Sequence, residues 1–131
     1  MNKKLYEIAK RERRAAYCPY SNTSVGAALL TRSGKIYTGA NIENASYSMT
    51  LCAERVAFMK AVSEGEREFS AIAVAGGKSG EGETELFYPC GACRQVMAEF
   101  CDGDFKLIFS KDESATLAEL LPKSFTKAKL K

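Results

Sequence analysis

Apolar runs of strand length alternate with helix-length apolar stripes along this chain, and that order leaves few architectures open. Val25 to Thr31 is a short apolar run, Ser33-Gly34 supplies a turn, and Ile36 to Ile42 alternates in the strand manner, so the stretch predicts a β-hairpin. Before it, Leu5, Ile8, Ala9, Ala15 and Ala16 fall near helical spacing behind Asn2 as the expected N-cap, in a helix ending before Pro19. After it come a helix over Cys52 to Ser63 stopped by Gly65, a strand over Phe69 to Ala75, and a glycine-rich acidic loop over Gly76 to Glu85. Pro89 is expected to open a third helix, on which Cys93, Val96, Met97, Phe100 and Cys101 form one apolar stripe. A strand over Phe105 to Ser110 follows, and Thr116 with Glu119 matches a capping box ahead of Leu120 and Leu121. Helices interleaved with strands after an opening hairpin predict an α/β layered fold on a mixed sheet. The 131 residues suffice for one such domain, residues 1–131, and are short for two.

The chain contains no histidine. That removes Ser-His-Asp and Cys-His nucleophilic schemes and every His-ligated metal site, so any chemistry falls to Cys, Asp, Glu, Lys or Tyr. Five cysteines, an odd count, point to metal binding or catalysis before disulfides in a reducing compartment. The net charge is +3, with basic residues gathered at the two ends, including Lys3, Lys4, Arg13, Arg14, Lys127 and Lys131. A nucleic-acid binder carries a stronger basic bias with interleaved aromatics, so these read as solvated helix faces and no nucleic-acid partner is expected. No run approaches the ~18–20 apolar residues of a membrane span, and the lysines after Met1 have no apolar core behind them, so a cytoplasmic chain without a membrane partner is expected.

Cys90-Gly-Ala-Cys93 is open to three readings on its own: half a structural zinc site, a redox pair, or coincidence. Pro89 favours a helix N-terminus around both thiols, where free N–H groups and the helix dipole stabilise thiolate, the form that binds metal. Cys52-Ala-Glu54 stands at a second helix start. Cys52, Cys90 and Cys93 together supply three thiolates and leave a fourth tetrahedral position to water, the pattern of a catalytic site; structural zinc sites are closed by four protein ligands. Cys101 lies about two turns from Cys93 on the helix and cannot reach the same ion, while Cys18 reads as a small buried hydrophobe. A zinc-acidified water needs a carboxylate to move its proton, and Glu54 stands two residues from a ligand; its plainer reading is complementation of the helix dipole. Three thiolates around Zn²⁺ leave a net charge of −1. Arg55 and Arg94 are candidates to offset it by hydrogen bonds to sulfur, against the plainer reading of surface ion pairs.

C-x-E followed by P-C-x-x-C is the zinc deaminase signature in its three-cysteine form. The chain resembles the short, homotetrameric cytidine deaminases of nucleoside salvage in CPYS (Cys18 to Ser21), VGAALL (Val25 to Leu30), NIENASY (Asn41 to Tyr47), CAER (Cys52 to Arg55), PCGACRQVM (Pro89 to Met97) and ELLPKSF (Glu119 to Phe125). The resemblance implies a three-layer α/β/α sandwich around a mixed sheet of about five strands, and one Zn²⁺ per subunit on Cys52, Cys90 and Cys93. It implies proton transfer by Glu54, the backbone N–H of Ala53 near the site, and ribose contacts from Asn41 and Glu43, which otherwise read as a polar strand exit. Ala45 and Tyr47 reach a neighbouring subunit's nucleoside on this resemblance, Phe125 closes a pocket across an interface, and Gln95 supports the metal shell with Arg55 and Arg94. Active sites are then shared between the subunits of a homotetramer.

Two positions depart from the family pattern. Thr23 stands where the family usually carries a phenylalanine against the pyrimidine, and Tyr88 where a small residue is usual. Losing one aromatic contact costs about 1–3 kcal/mol of stacking, by analogy with base–aromatic contacts. The expected activity is hydrolysis of cytidine and deoxycytidine to the uridines and ammonia. Thr23 keeps open another cytosine nucleoside, such as a blasticidin-type antibiotic, and CGAC keeps open a redox or structural metal module.

Overall fold

The computed structural model describes residues 1–130; Lys131, counted above among the basic residues, lies outside them. Four helices are α1 (Asn2–Glu12), α2 (Ala53–Ser63), α3 (Gly91–Phe100) and the short α4 (Leu117–Leu120). Among the described residues five strands form one sheet: β1 (Thr23–Thr31), β2 (Ile36–Ala40), β3 (Phe69–Lys78), β4 (Lys106–Ile108) and β5 (Ser114–Thr116), in the order β2-β1-β3-β4-β5. β1 runs antiparallel to β2 and β3, β3 and β4 are parallel, and β4 and β5 are antiparallel. The sheet is mixed, as the interleaving of helices and strands predicts.

β1 and β3 hold the middle and are apolar on both faces, which strands covered on both sides require. Alternation sorts the side chains. Val25, Ala27 and Leu29 join Ile72, Val74 and Leu107 in a core closed by Ala57 and Phe58 of α2 and by Cys93 and Met97 of α3. Ala28, Ala71, Ala73 and Ala75 point the other way, against Leu5, Tyr6 and Ala9 of α1. The large core is anchored by Phe58, whose ring meets Phe69 at 5.1 Å between centroids and Phe105 at 6.0 Å.

Two glycines let the helix backbones lie directly on the sheet. A Cβ on Gly26 would stand 2.0 Å from the Ala9 carbonyl oxygen of α1. On the other face, a Cβ on Gly39 would stand 2.4 Å from the Ala53 carbonyl oxygen and 2.7 Å from the Ala57 nitrogen of α2. The second contact fixes the first turn of α2, which carries Cys52 and Glu54.

The elements differ from the sequence expectations mostly at their ends. Met1, and not Asn2, holds the N-cap position of α1. That helix stops at Glu12 because the next turn is 3-10 and carries Arg13 inward; its guanidinium donates to the carbonyls of Ser24, Lys78 and Glu83 at 3.0–3.2 Å. β2 ends at Ala40, two residues before the expected Ile42, because Ile42 pairs with Tyr17 and Leu51 in place of β1, while the Asn41 side chain bonds the β1 backbone. Gly76, Gly77 and Lys78, expected in a loop, extend β3 because Val25, Ser24 and Thr23 pair with them. Cys90 is the N-cap of α3, so Pro89 precedes the helix and does not open it. β4 is shorter than the expected Phe105 to Ser110, and β5 pairs beside it where the sequence signals no strand; the Thr116–Glu119 capping box is present, with Glu119 N donating to Thr116 Oγ1 at 3.3 Å and Thr116 N to Glu119 Oε1 at 2.9 Å.

Gly39→Ala overfills the contact with α2 and is expected to cost about 1–3 kcal/mol, a drop of roughly 4–11 °C in Tm at this chain length. Thermal unfolding followed by circular dichroism checks it; an unchanged midpoint would show that α2 is free to move off the sheet.

Candidate metal centre

Helices α2 and α3 begin side by side, and a cysteine holds the N-cap position of each. Cys52 and Cys90 both have extended backbone, with ψ of 155° and 169°, so the chain turns into each helix at its thiol. Cys93 follows one turn into α3 and is buried. The Cys52, Cys90 and Cys93 sulfurs lie within 4.8 Å of one another, and among the described residues neither Cys18 nor Cys101 joins them. Cys101 is half-buried on the rim of the core, and burial, aided by the Asp102 charge, pushes its thiol up to about 12.

Cys52 Sγ stands 3.8 Å from Cys90 Sγ, which stands 3.6 Å from Cys93 Sγ. Tetrahedral zinc with Zn–S bonds of about 2.3 Å separates its sulfurs by roughly 3.8 Å, so the thiols present fit one such ion. None of the three is in a disulfide. Hydrogen bonding with Cys93, then Arg55, holds the Cys52 thiol down to about 5, while the same pairing and burial push Cys93 up. The Arg55 guanidinium supplies part of that stabilisation, with Nη2 donating to Cys52 Sγ at 3.9 Å and to the Thr50 carbonyl at 3.3 Å. The free N–H groups at both helix starts act in the same direction.

Glu54 is buried in the first turn of α2, with 4% of its surface exposed. Burial pushes its carboxyl up to about 7; its own backbone N–H pulls the other way, and the Cys52 charge adds to the rise. A carboxyl titrating near neutrality beside the thiols can both accept and return a proton.

The remaining residues fall into three groups. Asn41 is buried, accepting from Val25 N at 2.8 Å and donating to the Thr23 carbonyl at 2.9 Å, which leaves one amide hydrogen for a ligand. Glu43 is half-buried and accepts from the Ser21 hydroxyl, from Ser21 N at 3.1 Å and from Tyr20 N at 2.9 Å, which holds its carboxyl below the usual range. It lines a cleft of about 270 Å³ with Tyr20, Ser21, Tyr47 and Thr50, where the Tyr20 and Tyr47 rings meet edge to face at 6.1 Å. Ser21 and Thr50 are additions to the expected residues; Ser21 sits inside CPYS, and nothing local marks it as the partner of Glu43. Thr23 is half-buried, its N–H donating to Ser21 Oγ at 3.1 Å. Ala53 is fully buried as the first residue of α2, while Ala45, Tyr47 and Phe125 are exposed.

Arg94 donates to no sulfur, against the expectation for it, and Gln95, expected to support the metal shell, reaches the C-terminal segment instead. Arg94 donates to the Pro89 carbonyl at 2.9 Å and the Leu120 carbonyl at 2.7 Å, and Gln95 to the Phe125 carbonyl at 2.8 Å. The helical turn explains this: with Cys93 facing inward, the next two residues are carried round about 100° each, toward the C-terminal segment. Tyr88 lays its ring against Phe109 at 4.7 Å and donates from its hydroxyl to Glu113 at 3.3 Å.

The family described as the cytidine and deoxycytidylate deaminase zinc-binding region matches residues 1–109, which hold all three clustered cysteines. The chain belongs to this family. It is 50% identical to a cytidine deaminase of Sporosarcina psychrophila over 131 residues, covering 97% of this chain and 93% of that one. The crystal structure of cytidine deaminase from Burkholderia pseudomallei superposes with a TM-score of 0.83 at 44% identity, covering 93% of this chain and 97% of that one. A blasticidin-S deaminase of Bacillus cereus is 34% identical over 108 residues, 79% of this chain and 77% of that one. Family and sulfur geometry agree on one zinc ion per chain.

Purified protein is expected to carry about one zinc per chain by atomic emission, and Cys90→Ala to lose nearly all of it. Full zinc content in that variant would remove Cys90 from the site.

Proposed function

We propose that the chain hydrolyses cytidine and deoxycytidine to uridine and deoxyuridine, consuming one water and releasing one ammonia, as a step in pyrimidine salvage. The carrying observation is the convergence of three sulfurs within 4.8 Å beside the buried carboxyl of Glu54. The family relatives named above support the substrate.

Zinc held by Cys52, Cys90 and Cys93 would act as a Lewis acid that makes water a usable nucleophile near neutral pH. Glu54 would carry the two protons of that water in turn, the first to the pyrimidine ring nitrogen and the second to the departing amine, so that ring N–H, C=O and ammonia balance the water consumed. Arg55, donating to Cys52 Sγ, offsets the net charge of three thiolates around a divalent ion. The Ala53 N–H, free at the start of α2, lies at the same end of the helix. Glu43 and the remaining amide hydrogen of Asn41 take the ribose hydroxyls, the carboxylate as acceptor and the amide as donor.

The chain acts as one domain in the cytoplasm. Its five unpaired cysteines support a reducing compartment, and no helix among the described residues is long and apolar enough to cross a membrane. It works as a homotetramer with sites at subunit interfaces, where Ala45 and Tyr47 reach a neighbour's nucleoside and Phe125 closes a pocket. Support comes from the large apolar side chains left open to solvent in one chain: Ile42, Tyr47, Met49, Leu51, Met59 and Phe125.

Thr23 and the blasticidin-S deaminase relative favour one second reading, the same chemistry on a cytosine antibiotic. Turnover of cytidine and of blasticidin S, compared by ultraviolet absorbance, decides between them: cytidine is expected to be the faster, and negligible cytidine turnover beside rapid antibiotic turnover would reverse the assignment. Glu54→Gln is expected to keep the zinc and lower kcat/KM for cytidine by at least roughly 100- to 10,000-fold. An unaffected rate would take Glu54 out of the mechanism, and disulfide reductase activity would favour the redox module instead.

A further inference from the structure

The C-terminal segment meets the body of the protein in an unusual way. After α4 the chain reverses through Pro122 and Lys123, the latter in the left-handed region at φ 52°, and runs back past α3 to a 3-10 turn at Lys127–Leu130. It stands off the body across a cleft of about 500 Å³ bounded on the other side by Phe100, Cys101 and Leu117. Its backbone pairs with no strand of the sheet. Among the described residues, one hydrogen bond joins residues 122–130 to the rest of the chain, from Gln95 Nε2 to the Phe125 carbonyl. Phe125 itself turns its ring outward, 61% exposed.

Gln95 lies two residues beyond Cys93 on the helix that begins at Cys90. Its neighbour Arg94 clamps the Pro89 carbonyl, one residue before Cys90, to the Leu120 carbonyl, where the C-terminal segment departs. Both ends of the segment's path are therefore referenced to the helix that carries two of the three thiols. An aromatic ring that buries little of itself, on backbone held by a polar tie, is presented outward and contributes little to the core.

We propose that Gln95 is a positioning residue that holds the C-terminal strap so that Phe125 is set in register with the Cys90–Cys93 end of α3. This rests on the reading of Phe125 as part of the nucleoside pocket. Gln95 then acts on substrate affinity through the strap and leaves the metal and the proton chemistry alone.

The experiment uses the zinc-loaded protein and four variants: Gln95→Glu, which keeps the size and replaces the donor with an acceptor; Gln95→Lys, which keeps a donor; Phe125→Ala; and Gln95→Glu with Phe125→Ala. Readouts are KM and kcat for cytidine, zinc content, and hydrogen exchange over residues 122–130. Gln95→Glu is expected to speed exchange in the strap and raise KM by about 3- to 10-fold, the range one net hydrogen bond spans, with kcat within about twofold and zinc unchanged. Gln95→Lys is expected to recover most of that KM, and Gln95→Glu to add nothing further once Phe125 is alanine. An equal KM rise in the Phe125→Ala background, a KM rise that follows loss of zinc, or unchanged exchange would overturn the proposal. Phe125→Ala with an unchanged KM would instead overturn the reading of Phe125 on which it rests.

Discussion

The meeting of two helix N-termini on one side of the sheet is the constraint from which the candidate site follows. Cys52 and Cys90 are 38 positions apart in the chain, yet their sulfurs stand 3.8 Å apart because α2 and α3 both cover the face built by Val25, Ala27, Leu29, Ile72 and Val74. Nothing in the thiols themselves draws them together; bare sulfur anions at such distances repel. The apolar core holds the helices in place, and Gly39 allows α2 to approach until its first turn lies on β2. The packing of this face thus brings together the three thiols that would hold zinc.

The same arrangement explains how Glu54 is both buried and close to other negative charge. Burial and the Cys52 thiolate disfavour its ionised form, while the N-terminus of α2 and the Arg55 guanidinium favour it. Arg55 is itself held imperfectly. Its Nη2 serves Thr50 and Cys52, and its buried Nε has no partner among the described residues. A buried donor left unmatched costs about 1–3 kcal/mol. That cost is tolerated beside a cluster whose charge a well-satisfied surface cation would offset less directly.

Much of this was legible in the sequence, for identifiable reasons. The strand-length runs around Ala27 and Val74 and the stripe through Cys93, Met97 and Phe100 obey local periodicities, so the layered fold could be read from spacing. C-x-E and P-C-x-x-C put the thiols and Glu54 at helix starts by turn chemistry alone. Legibility failed where long-range contacts overruled local signals. Gly76 and Gly77 read as a loop until Ser24 and Val25 supply a pairing partner, and β2 ends early because Ile42 pairs with Tyr17 and Leu51. Arg94 and Gln95 follow a ligand in sequence as Arg55 does, yet helical rotation sends them to the C-terminal segment. Adjacency in the chain was a good guide at an N-cap and a poor one a turn later.

One chain builds the two halves of the site to different standards. The half that holds Cys93 and Glu54 is enclosed in the core, where low dielectric strengthens electrostatic effects and geometry is set by close packing. On the reading proposed above, recognition falls to Glu43, Tyr47 and Phe125, which lie on loops and the C-terminal strap. Exposed groups such as Tyr47 and Phe125 discriminate weakly while water competes for them, and half-buried Glu43 already spends three acceptor contacts on Tyr20 and Ser21. Selectivity for a nucleoside therefore requires that half to be dried by something beyond the single chain's core. The apolar side chains surrounding it, Ile42, Met49 and Leu51, are suited to burial against another copy of the same surface.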